Sequence, residues 1–94
     1  KGGRLTTRPI TFSGSELELN LSTSAIGYVK VECLTPTGEV IDTFGIEQAD
    51  ETFGDALDRK VTWEERTGLK KLSGKPIRLR FTLSDADLYS FRFV

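Results

Sequence analysis

The sequence predicts an all-β protein, an antiparallel two-sheet β-sandwich of jelly-roll type, and three observations carry that prediction. Apolar and polar residues alternate over several short segments, as they do in strands with one face in a core and one in water. Clusters of Gly, Pro, Ser and Asp punctuate those segments with turn chemistry. Helical spacing is never sustained beyond a single turn. Seven or eight short strands result, and a jelly roll is the closure that pairs most of their edges.

Lys1-Gly2-Gly3 reads as the tail of a linker, leaving residues 4–94 as a single sandwich domain. Residues 4–12 form a first extended segment, placed at an edge because Pro9 cannot donate to a ladder. After Ser13-Gly14-Ser15, residues 16–22 give the clearest half-buried strand: Leu17, Leu19 and Leu21 face the core, and Glu16, Glu18 and Asn20 face water. A loop at 23–27 leads to a strand over 28–34 with Val29, Val31 and Cys33 inward and Tyr28 on the opposite face. Thr35-Pro36-Thr37-Gly38 then turns the chain into a return strand over 39–44, completing a hairpin. From 45 to 60 the alternation fades into a long loop with room for one helical turn, anchored by Ile46, Phe53 and Leu57. Val61 and Trp63 share a face, and Leu69 and Leu72, three apart before Gly74, predict one helical or 3₁₀ turn. Residues 76–84 alternate with Ile77, Leu79, Phe81 and Leu83 inward. A tight turn at Ser84-Asp85-Ala86-Asp87 joins them to a last strand with Tyr89, Phe91 and Phe93 inward.

Composition excludes more than it assigns. Ninety-four residues with 37% hydrophobic content suit one sandwich whose strands are half in water. The chain has no histidine, which removes Ser-His-Asp, Cys-His and histidine-ligated metal schemes. Its single cysteine, Cys33, rules out an intrachain disulfide. A net charge of −1 does not favour nucleic acid or an anionic membrane as partner. The charges are nevertheless segregated: residues 42–58 hold six acids and no base, whereas 59–94 hold nine bases and four acids.

Several segments, taken in order, resemble one known domain: residues 3–12 (Gly-Arg-Leu-Thr-Thr-Arg-Pro-Ile-Thr-Phe), 50–55 (Asp-Glu-Thr-Phe-Gly-Asp), 61–63 (Val-Thr-Trp), 72–81 (Leu-Ser-Gly-Lys-Pro-Ile-Arg-Leu-Arg-Phe) and 85–93 (Asp-Ala-Asp-Leu-Tyr-Ser-Phe-Arg-Phe). That domain is the C-terminal β-sandwich of bacterial invertase- and levanase-like proteins, glycoside hydrolase family 32. The resemblance implies a non-catalytic module packed against an N-terminal β-propeller that carries the catalytic carboxylates. It also implies a parent protein in bacterial carbohydrate metabolism, extracellular or periplasmic. Glu32-Cys33 matches the family's acid/base Glu-Cys pair. Here, however, it lies in an alternating strand, without the family's other catalytic motifs, so Glu32 is expected to face solvent beside a buried Cys33.

Three side-chain groups are candidates for function. Trp63 and Tyr28 could stack on a sugar ring if exposed, which would make the chain an autonomous polysaccharide-binding module; Trp63 sharing a face with Val61 argues instead for core or interface packing. Phe53, rimmed by Asp50, Glu51 and Asp55, would suit contact with the parent's propeller. The same acids offer oxygen ligands for a structural calcium, although their spacing matches no calcium loop and no cofactor is expected. Asp85 and Asp87 are read as caps of the last hairpin.

Overall fold

The computed structural model describes residues 2–94. Within them β-strands dominate and pair antiparallel throughout: β1 (Gly2–Thr6), β2 (Ile10–Thr11), β3 (Leu17–Leu34), β4 (Asp55–Lys60) and β5 (Pro76–Phe93), with a 3₁₀ turn at Leu69–Leu72. The strand order is β1-β5-β3-β4, and β2 pairs with the start of β5. Lys1, expected in a linker, lies outside the described residues, while Gly2 and Gly3 begin β1 opposite Ser84 and Leu83.

The expected four central strands are two long ones. β3 and β5 pair from Leu17 opposite Phe93 to Leu34 opposite Arg78. An 18-residue strand drawn out straight would span roughly 60 Å, yet the longest dimension of the molecule is 34 Å. The ribbon is therefore folded back on itself. The rings of Phe81 and Phe91, ten positions apart on β5, lie 5.3 Å apart between centroids.

The fold in the ribbon has a local cause. Between the Thr23–Ala86 and Tyr28–Ser84 pairs, Ser24, Ala25, Ile26 and Gly27 of β3 stand against Asp85 alone, a bulge that bends the longer strand. A Cβ on Gly27 would fall 2.2 Å from the Asp85 carbonyl oxygen, so only glycine allows this approach. Asp85 takes φ 48°, a left-handed value that aspartate tolerates better than most residues. The turn expected at residues 84–87 thus bends β5 without reversing it, and no terminal hairpin forms.

Each half of the ribbon faces inward with its odd-numbered residues: Leu17, Leu19, Leu21, Val29, Val31, Cys33, Leu79 and Phe81 are fully buried, as the alternation predicts. Val61, Trp63, Leu69 and Leu72 cap this core, also as expected. Other expectations fail for identifiable reasons. The edge segment at 4–12 splits in two before and after Pro9, with the Thr7 hydroxyl accepting from the Leu79 N–H in place of a ladder bond. The return strand at 39–44 shrinks to a bridge between Leu34 and Val40. There Thr43, at φ 73°, turns the chain so that Phe44 enters the core and Cys33 N–H reaches the Phe44 carbonyl. The loop expected over 45–60 ends in β4, an exposed edge strand created by its pairing with β3. Its sequence, Asp-Ala-Leu-Asp-Arg-Lys, has little strand propensity of its own.

Candidate functional site

Trp63 is buried, at 4% exposure. Its indole Nε1 donates to the Val31 carbonyl at 2.7 Å, and its ring meets Phe44 edge-on at 5.0 Å. A ring held this way fastens the 61–66 loop to β3 and offers no platform to a sugar. Tyr28 is half-buried on the outer face of the sheet, opposite Ser84, with Lys30 Nζ 5.8 Å from its ring centroid. The two aromatic candidates therefore lie on opposite faces of the sheet, and only Tyr28 reaches the surface.

The acidic group separates as well. Asp50 Oδ2 accepts from the Thr62 hydroxyl at 2.6 Å and from the Glu65 N–H at 2.7 Å, so this carboxylate is used within its own loop. Glu51 is exposed, and Asp55 opens β4 opposite Ser22. Phe53 is 58% exposed and, with Leu57 at 78%, gives the β4 side an apolar character. No group of three or more metal-ligating side chains converges among the described residues.

Glu32 corrects the sequence expectation most sharply. It is 2% exposed, not solvent-facing, and Arg80 directly across the ladder binds both its oxygens, Nε to Oε1 at 2.8 Å and Nη2 to Oε2 at 2.9 Å. Such a two-pronged pair satisfies a carboxylate that would otherwise be costly to bury, and the hydrogen bond to Glu32 raises the Arg80 pKa. Next to it Cys33 is fully buried, and burial, assisted by the charge of Glu32, pushes its thiol up to about 12. A thiol kept protonated there behaves as a small hydrophobe and is shielded from redox or nucleophilic chemistry.

Tyr89, expected in the core, is 63% exposed. The ladder shifts between Asn20–Ser90 and Leu21–Leu88, leaving Tyr89 as the extra residue of a bulge. It borders a groove of about 310 Å³ lined also by Leu5, Leu88, Ser90 and Phe91. Leu5, on the edge strand β1, is itself 56% exposed. The sequence did carry a signal for this: Leu88 and Tyr89 are adjacent apolar residues where two phases of alternation, Ala86-Leu88 and Tyr89-Phe91-Phe93, collide. Among the described residues, those after the bend in β5 pair with β3 on one side only, β1 beginning opposite Ser84. The groove follows that open edge.

Asp85 and Asp87 line a polar depression at the bend with Ser22, Thr23 and Ser24. The hydrogen bond with Ser24 is the main cause holding the Asp85 carboxyl below its ordinary pKa. Comparison of the chain with protein-family models, with curated proteins and with solved structures finds no match.

Proposed function

We propose that the chain is the non-catalytic C-terminal module of a glycoside hydrolase-like protein, and that its bent ribbon closes as a two-layer sandwich of jelly-roll type. In this reading it stabilises and orients a β-propeller domain of the same polypeptide, outside the bacterial cytoplasm. The observation that carries the reading is the apolar groove at the open edge of β5, where Leu5 and Tyr89 are exposed beside Leu88 and Phe91. Apolar and aromatic side chains grouped at an edge are the usual material of an interdomain contact. The resemblance of its sequence segments, in order, to the family 32 sandwich suggests the kind of neighbour. Phe53, the anchor named from the sequence, lies on the β4 side of the sheet and is assigned no role in this contact.

The test is association with a family 32 β-propeller domain produced as a separate chain, followed by calorimetry. The native chain is expected to bind, the Leu5→Ser, Tyr89→Ser double variant to bind at least about tenfold more weakly, and Phe53→Ser to bind as the native chain does. Absence of association, or a double variant that binds normally, would overturn the reading.

A further inference from the structure

The outer face of the sheet carries one unexplained polar group. The Thr82 hydroxyl oxygen is buried without a hydrogen-bond partner, alone in this among the buried side-chain polar atoms of the described residues. An unpaired buried hydroxyl is destabilising, and native structures hold few of them. Its neighbours are set by the ladder. Thr82 lies opposite Arg4 of β1 on one side and Lys30 of β3 on the other, so the three side chains share one face in a single row across the sheet. Neither Arg4 nor Lys30 enters an ion pair among the described residues.

The adjacent rows narrow the chemistry. On one side, the charge of Arg80 is consumed by Glu32. On the other, Tyr28 and Ser84 face each other, and Gly2, third in that row, contributes no side chain. Two cations outside any ion pair and an unpaired hydroxyl thus share one row, with Lys30 Nζ 5.8 Å from the ring centroid of Tyr28 in the next row. We infer that the row Arg4, Thr82 and Lys30 binds one oxyanion, the sulfate or carboxylate of an acidic saccharide unit whose body lies along Tyr28. An oxyanion offers acceptors to the guanidinium and the ammonium together, and to the buried hydroxyl once the side chains covering it part, and the ring of Tyr28 suits the mixed polar and apolar surface of a sugar. Nucleic acid is a poorer match, because it is held through many phosphates and this row provides for one.

The test is a titration of the 94-residue chain, followed by amide NMR, with glucose 6-sulfate, glucuronate and glucose. Saturable shifts centred on Arg4, Lys30 and Thr82 are expected with one or both acidic sugars, identifying sulfate or carboxylate as the group held, and none with glucose. Arg4→Ala and Lys30→Ala should each weaken binding about tenfold, as loss of a charge-assisted hydrogen bond does. Thr82→Val separates function from folding. It removes the unpaired hydroxyl at nearly constant shape, so it should raise the melting temperature by roughly 4–8 °C while weakening binding. No saturable shift with either acidic sugar, equal shifts with glucose, or undiminished binding by the Arg4 and Lys30 variants would overturn the proposal.

Discussion

Two glutamate–arginine pairs bridge the same two strands, and they are not equivalent. Glu32 faces Arg80 and Glu18 faces Arg92, each a direct partner across the β3–β5 ladder. In the first pair both carboxylate oxygens are engaged, and the side chains are 2% and 24% exposed. In the second, Nε and Nη2 of Arg92 share the single oxygen Oε1, and the side chains are 15% and 68% exposed. The difference comes from what stands beside β5. Around Arg80 the sheet continues into β1, with Thr6 next in the row, whereas around Arg92 the strand has its open edge. The same residue types at the same kind of lattice position thus become a buried lock in one half of the ribbon and a solvated contact in the other.

The largest expected effect tests the lock. Arg80→Ala strands the buried Glu32 carboxylate, 2% exposed, and should lower stability by about 3–5 kcal/mol in urea unfolding. Replacing both partners together, as Glu32→Leu with Arg80→Met, should recover most of that loss, since what costs most is one charge left unpaired. A double replacement as unstable as the single one would show that the pair does more than neutralise itself. Next in size is the joint between the halves. Gly27→Ala drives a methyl group into the Asp85 carbonyl and should cost about 1–3 kcal/mol, as overpacking does; a neutral result would mean that the bend yields easily. Smallest is Glu18→Ala, expected to change stability by less than about 1 kcal/mol. A loss comparable to that of Arg80→Ala would erase the comparison.

The sequence made the inward residues of β3 and β5 legible, because a period of two on a half-buried strand leaves little choice of face. It also made the 3₁₀ turn at Leu69–Leu72 legible, from two leucines three apart. It could not reveal that Glu32 is buried, since an alternating strand reports which face a side chain takes and not what covers that face. β4 is not legible because it exists only through β3, and the bend at Asp85 reads as a reversal because the same residue types serve both. Trp63, whose shared face with Val61 points to core or interface packing, is core. Tyr89 changed sides through one extra residue whose trace, the Leu88-Tyr89 pair, was visible in the sequence.

The β3–β5 pairing also governs how the chain folds. Every rung joins a residue before position 35 to one after position 77, with β4 and the whole intervening loop between them. The tight turn at residues 33–41 adds only the Leu34–Val40 bridge, so closing that long loop must precede most of the reward from the ladder, and folding in the millisecond-to-second range is expected of such non-local topology. During synthesis β3 would wait, its apolar face uncovered, until β5 has been made. A ribosome stalled before Arg78 would hold a chain with nearly all of one of its two longest strands still unwritten.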